Sequence, residues 1–226
     1  MEINDSILRH YLRNVYFLNG TAYAGKSTMA AMLAERYDMI HCGENYHHKV
    51  ASQVVTPQEY PNLGYFQTME SWQAFVNRPP EVYERWIDGN VQEIIAFELA
   101  ELLRLSGSGG RKIIVDTNLP VEVLHRIAGH HQVAIMLSPL SLSVDRFFDR
   151  SDPDKQFLLD QIRQSPDPDR TMRNFRACLA RINSRERYEA FANSGFFTLV
   201  REDAVTDTRE AVLQTLARHF GLEPAA

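Results

Sequence analysis

The residues best placed for chemistry lie between Val15 and Ala30, where the chain reads VYFLNGTAYAGKSTMA. Gly20, Thr21, Ala22, Tyr23, Ala24, Gly25, Lys26 and Ser27 fit the pattern G-x-x-x-x-G-K-[S/T], and Thr28 follows directly. Glycines at the ends of such a loop let backbone N–H groups turn toward phosphate oxygens. A helix starting at the lysine presents the positive end of its dipole to the same charge. The lysine then reaches the β and γ phosphates of a nucleoside triphosphate, and the hydroxyl after it ligates Mg²⁺. The spacing therefore predicts ATP, or GTP, with Mg²⁺ as ligands, Gly20 to Thr28 around the phosphates, and Lys26 acting on the transferred group.

A second carboxylate is needed near the metal, at the end of a neighbouring strand, and KIIVDTN supplies Asp116. Ser27 and Asp116 are thus the expected metal pair, with a strand-terminal Asp capping the next helix as the ordinary alternative. The chain has no N-K-x-D motif of the kind that reads guanine in regulatory GTPases. LSGSGG at 105–110 lies almost directly before the Asp116 strand, which suits a Gly/Ser turn and not a transporter signature. Thr117 stands where a motor-type ATPase carries a second acid. Small kinases remain.

The elements that must position these groups are legible as a pattern. NVYFLN, DMIHC, KIIVD, QVAIML and FFTLV read as short buried strands alternating with helical stretches, the signature of a parallel sheet covered on both faces. GKSTMAAMLAERY has helical apolar spacing, a long helix begins at the proline pair before PEVYERW, and a last one runs from an N-cap threonine in TDTREAV to Gly221. The fold expected is a three-layer α/β P-loop NTPase fold with a five-stranded parallel sheet and a helical lid, forming one domain over 1–226. Within it, 43–79 is expected to be an acceptor-binding insertion and 145–193 the lid region.

Bulk properties agree with a globular chain: 226 residues, 44% hydrophobic and 23% charged. A net charge of −5 disfavours nucleic acid as a partner. Cys42 and Cys178 lie far apart, as free thiols in a reducing compartment would. The N-terminus is acidic where a signal peptide is basic, and no run approaches the roughly 18 apolar residues of a membrane span. A cytoplasmic protein without membrane or nucleic-acid partners is expected, its oligomeric state not legible.

These features resemble the adenylate-kinase-like group of P-loop kinases, which includes nucleoside monophosphate, shikimate and gluconate kinases. The resemblance covers most of the chain in element order. In that group an Arg-x-x-x-Arg leads into the lid, and SVDRFFDR is similar. It implies that Arg146 stacks on the base and Arg150 contacts phosphate. DRTMRNF resembles the returning lid segment and implies a phosphate-contacting role for Arg173. Arginine suits both tasks through its planar fork. The neighbouring Asp145, Asp149, Asp152, Asp167 and Asp169 would equally make an ion-paired, solvated helix face.

The acceptor side departs from the group. Gly43 and Glu44 loosely match a Gly-Asp pair that precedes an acceptor-gripping arginine, but His47 stands near that arginine's place. Val121 follows Leu119-Pro120 where monophosphate kinases carry a second such arginine. A hydroxyl acceptor is therefore expected, and its proton calls for a carboxylate base or orienter, with Glu44 first and Asp116 second. The expected activity is ATP-dependent transfer of the γ-phosphate to a small-molecule hydroxyl. The alternatives are a nucleoside or nucleoside monophosphate kinase, if Lys49, Arg78 and Arg85 converge, and a nucleotide-binding regulatory module without turnover. His41, His47 and His48 lack the spacing of a metal site. Tyr46, Tyr60, Tyr65, Phe66, Trp72, Phe75 and Trp86 suit packing more than pocket lining. Tyr23 stands where relatives carry a small residue, so its ring must point out of the cradle or lean over the acceptor side.

Overall fold

The structure, a computed structural model, describes residues 4–107, 110–149, 153–201 and 207–222. Five strands form one sheet: β1 (Val15–Gly20), β2 (Ile40–Cys42), β3 (Ile113–Asp116), β4 (Val133–Leu137) and β5 (Phe197–Val200). All neighbours are parallel, in the order β2-β3-β1-β4-β5. Each strand coincides with one of the expected apolar runs, β1 reaching one residue past NVYFLN to Gly20. The registers place Leu18 beside Asp116 and Gly20 beside Met136, so the C-terminal ends of β3, β1 and β4 share one edge.

The helices are α1 (Asp5–Tyr11), α2 (Lys26–Arg36), α3 (His48–Val54), α4 (Tyr65–Thr68), α5 (Trp72–Val76) and α6 (Pro80–Ser106) before β3. After it come α7 (Val121–Ile127), α8 (Leu140–Asp145), α9 (Pro153–Arg163), α10 (Pro168–Ile182), α11 (Arg185–Ala192) and α12 (Arg209–Phe220). Pro80 opens α6 as expected, since a first-turn residue needs no N–H partner and proline's φ is already helical. Gly221 ends α12 in the left-handed conformation, φ 62°. Thr206 lies outside the described residues; Thr208 holds the α12 cap position, and Asp207 Oδ1 accepts the Arg209 N–H at 3.0 Å.

Alternation along the strands divides the core. Tyr16 and Leu18 face α2 and α12, where Met29, Leu33, Leu213, Leu216 and Phe220 are buried. Val15 and Phe17 face the opposite layer, built from α1, the C-terminal half of α6, α7 and α11. This split follows from chirality. The chain moves one way across the sheet from β1 to β2 and the other way in every later step, and right-handed crossovers then put α2 on one face and α6, α7 and α11 on the other. The connections leaving β1 and those leaving its neighbours part at the carboxyl edge, which opens a crevice above β1.

A third apolar cluster stands off the sheet. Phe75, Val76, Tyr83, Ile162, Phe175, Cys178 and Leu179 are buried together, with Tyr65, Trp72, Trp86 and Phe148 packed around them. Parts of the two stretches expected as separate insertions, 43–79 and 145–193, thus meet in one helical cap on the N-terminal half of α6, whereas α11, at the end of the second, packs on the sheet. Ion pairs add a rim: Arg181 with Glu84, and Arg187 Nη2 with Asp88 at 2.7 Å. These pairs lie near solvent and add little beside the apolar burial.

Backbone geometry at the crevice yields the first prediction. Gly20 has φ 123°, and a Cβ there would sit 2.0 Å from the Met136 carbonyl oxygen, whereas Gly25, φ 89°, has open space around it. Gly20→Ala should lose about 3 kcal/mol or more, and Gly25→Ala only about 1–2 kcal/mol, the penalty of the left-handed conformation alone. Urea unfolding of both variants checks the order.

Candidate functional site

The loop between β1 and α2 is held open by its surroundings. The carbonyls of Gly20, Thr21, Ala22 and Tyr23 accept from side-chain donors. Lys26 Nζ lies 3.3 Å from Gly20 O and 3.0 Å from Thr21 O. Ser138 Oγ and Ser143 Oγ donate to Ala22 O at 2.7 and 3.2 Å, and Arg201 Nη1 donates to Tyr23 O at 2.7 Å. Thr21 is pinned to β4 as well, its N–H on Met136 O at 3.0 Å and its Oγ1 accepting the Ser138 N–H at 2.8 Å. Among the described residues no protein acceptor takes the N–H groups of Ala22, Ala24, Gly25 or Lys26. Unclaimed amides at a helix start make an anion site.

Tyr23 is the unusual member. It adopts φ 65°, a left-handed conformation that residues other than glycine rarely take. The Arg201 bond to its carbonyl helps to hold it there. Its ring is half-buried and borders the cavity above the loop.

Ser27 and Asp116 meet as the spacing predicted, Ser27 Oγ donating to Asp116 Oδ2 at 2.6 Å. Asp116 is 1% exposed, and its Oδ1 is buried without a hydrogen-bond partner among the described residues. Burial raises the Asp116 carboxyl above the usual range; Lys26 and the Ser27 hydroxyl pull it down, and the Glu44 charge pushes it up again. A hydroxyl and an under-partnered carboxylate oxygen side by side are hard donors that fit Mg²⁺, which binds through few protein groups plus substrate phosphates. Consistent with that mode, no group of three or more His, Cys, Asp or Glu gathers to hold a metal alone among the described residues.

Above the loop lies a cavity of about 670 Å³ lined by Gly25, Lys26, Ser27, Thr28, Glu44 and Arg146, with Tyr23, Leu142, Asp149 and Arg201 completing the wall. Of the expected groups, Lys26, Ser27, Glu44 and Arg146 are therefore brought together here. Glu44 is exposed at the mouth, where Asn118 Nδ2 donates to its Oε1 at 3.2 Å. Arg173 is exposed on α10 and does not line this cavity. Arg150 lies outside the described residues. Lys49, Arg78 and Arg85 do not line the cavity either. Arg78 instead stacks on Tyr65, 3.6 Å from the ring centre, inside the cap. The aromatic residues of 43–79 are packing groups; Tyr65, Phe66, Trp72, Phe75 and Trp86 form one cluster of ring contacts.

Sequence reasoning missed Arg201. The signal was its place directly after the FFTLV strand, at the carboxyl edge where ligands of parallel sheets collect. It also missed the floor beneath Asp116. Glu98 of α6, 0% exposed, accepts from Thr117 Oγ1 at 2.6 Å and from Tyr46 OH at 3.2 Å on its Oε2. Its Oε1 lies 3.8 Å from His47 Nδ1, and both atoms are buried without a hydrogen bond. Burial pushes the Glu98 carboxyl up to about 7, against the bonds from Thr117 and Tyr46, while the Asp116 charge adds to the rise. Burial also drives His47 down to about 4, so this imidazole is neutral at pH 7.

Among known proteins, no family model, no curated protein and no solved structure matches this chain.

The Glu98 shift has a definite sign. The folded chain holds this proton up to about 7, against an ordinary value of 4.5, so stability falls as pH rises between these values. Tyr46, His47 and Cys42 from the β2 side and Asp116 from β3 are the titratable groups facing it. Glu98→Gln removes the proton and keeps the acceptor oxygen. Its stability relative to wild type should improve from pH 5 to pH 8, by at most roughly 3 kcal/mol. Urea unfolding of both proteins at each pH measures the difference.

Proposed function

We propose that this protein has the P-loop NTPase fold and is an ATP- and Mg²⁺-dependent phosphotransferase of the adenylate-kinase-like group, acting on the hydroxyl of a small molecule. The observation that carries this reading is the 2.6 Å bond from Ser27 Oγ to Asp116 Oδ2, made beside a loop whose amides of Ala22, Ala24, Gly25 and Lys26 are taken by no protein acceptor among the described residues. A glycine turn with a surface lysine explains neither that pairing nor the unclaimed amides.

The roles follow from position. The amides of Ala22 to Lys26 bind phosphate oxygens, and Lys26 leaves the loop carbonyls to meet the β and γ phosphates. Ser27 and Asp116 hold the metal, which when bound neutralises charge on the phosphates. Arg146 and Arg201 face the same cavity and add positive charge where the triphosphate lies. Glu44, at the mouth, orients the acceptor hydroxyl and takes its proton. Lys49, Arg78 and Arg85, the groups that the monophosphate-kinase alternative would bring together, do not line this cavity.

Lys26→Ala should leave the unfolding midpoint nearly unchanged and lower transfer by roughly a thousandfold, the scale of losing one preorganised charge contact. Transfer is read from labelled ATP over panels of alcohols, sugars, nucleosides and nucleotides. Full turnover in the variant refutes the assignment. Tight MgATP binding with no transfer to any acceptor identifies a regulatory module instead.

A further inference from the structure

Glu98 and Asp116 are the two fully buried acids among the described residues. Burying a carboxylate costs several kcal/mol unless strong bonds compensate it, and Ile95, Leu99, Leu102 and Leu103 of α6 pack into the core around Glu98. Glu98 lies under the turn that follows Asp116. A local rule broken at one point next to a candidate site marks a position retained for something other than packing.

Its bonds reach two separate segments, the turn after β3 and the loop after β2. On one side Thr117 is fully engaged: its N–H donates to Leu18 O of β1 at 3.0 Å, its Oγ1 accepts the Leu119 N–H at 3.0 Å, and its hydroxyl proton goes to Glu98. That residue joins Asp116, at the end of β3, to Asn118, which bonds Glu44. On the other side, Tyr46 OH reaches both Oε2 of Glu98 and its backbone carbonyl, at 3.2 and 3.3 Å. Tyr46 sits two residues beyond Glu44 in the loop between β2 and α3. The same two segments are therefore tied twice, at the mouth by Asn118 and Glu44 and underneath by Glu98.

We propose that Glu98 is a positioning residue, whose buried carboxylate ties the turn carrying Asp116 to the loop carrying Glu44 and so fixes the metal-organising acid relative to the acceptor-facing one. The inference rests on the phosphotransfer reading for its catalytic consequence. The tether itself is testable in the unliganded chain.

Three variants separate positioning from general structural support. Glu98→Leu removes the acceptor and leaves Thr117 and Tyr46 without a partner. Thr117→Val removes the tether to the Asp116 turn together with the acceptor of the Leu119 N–H, so its exchange is read at 116–118, and it keeps the test intact if Glu98→Leu does not fold. Glu98→Gln keeps an acceptor oxygen for both donors and turns its amide toward His47 Nδ1. Hydrogen exchange followed by mass spectrometry reads residues 116–119 in the unliganded protein, and calorimetric titration reads ATP affinity with and without Mg²⁺. Exchange at 116–119 in Glu98→Leu, and at 116–118 in Thr117→Val, should speed up roughly tenfold, the consequence of losing one buried hydrogen bond. The gain in ATP affinity that Mg²⁺ brings should fall about fivefold or more, while metal-free affinity stays within about twofold, because the loop amides are untouched. Glu98→Gln should restore both readings.

Unchanged exchange over these residues, or an unchanged Mg²⁺ gain, overturns the proposal. So does a metal-free affinity that falls in step, which is the mark of a merely structural role. A wild-type chain that binds no ATP at any Mg²⁺ concentration refutes the phosphotransfer reading and the consequence drawn from it. That outcome differs from failure of the tether alone, in which wild type binds MgATP and the variants match it.

Discussion

The closeness of β1 and β4 at their carboxyl ends is the constraint on which the site depends. The Met136 carbonyl comes so near Gly20 that no side chain fits between them, and it also takes the Thr21 N–H. The chain leaving β1 must therefore turn sharply, and its carbonyls are claimed by Lys26 of α2, Ser138 after β4, Ser143 of α8 and Arg201 after β5. The donors come from positions spread over most of the chain, so the loop reaches this shape only once the sheet is assembled. The left-handed conformation of Tyr23 is held in the same way, by a bond from the far edge strand.

The second organising element is α6. Its 27 residues span roughly 40 Å, enough to serve two cores. The first half, with Tyr83 and Trp86, lies under the cap, and the second half, with Leu99 and Leu102, lies on the sheet. Between them Glu93 accepts the N–H groups of Asn62 and Leu63, and Glu98 reaches under the Asp116 turn. Cap, acceptor-side loop and candidate metal site are thus all referred to one rigid helix.

How much of this was legible follows from the range of the forces involved. The strands were readable because strands covered on both faces become continuous apolar runs, as IIVD and VAIML are. The loop was readable because its chemistry is compressed into adjacent residues. Long-range pairing was not. Glu98 sits in the stretch IIAFELAELLRL beside Glu101, which pairs with Arg104 near the surface, and nothing local distinguishes the buried acid from the other. The arginines of 145–193 posed the same difficulty. Arg181 and Arg187 form ion pairs with α6, whereas Arg146 borders the cavity. Composition is common to both fates, and only the packing of α10 and α11 on α6 separates them. The N-terminal helix α1, started by Asn4 Oδ1 accepting the Ser6 N–H at 2.9 Å, was also passed over, since its single buried residue, Leu8, gives no periodic signal.

Charge along the carboxyl edge follows from strand order and bears on the direction of the proposed reaction. Reading across the sheet, Glu44 follows β2, Asp116 ends β3, Lys26 follows β1, Arg146 follows β4 by way of α8, and Arg201 follows β5. Apart from Asp149, these groups change sign at β1. A triphosphate laid on the loop therefore extends most favourably over the β4 and β5 side, with its terminal phosphate toward Asp116 and the metal that this acid would hold. The space beyond the terminal phosphate is then bounded by Glu44. An acceptor bearing its own phosphate would meet a carboxylate there, whereas an uncharged or cationic alcohol would find a group able to orient its hydroxyl. In the proposed reaction the polarity that would seat the donor would thus also select the kind of acceptor, and both would trace back to which connection leaves which strand.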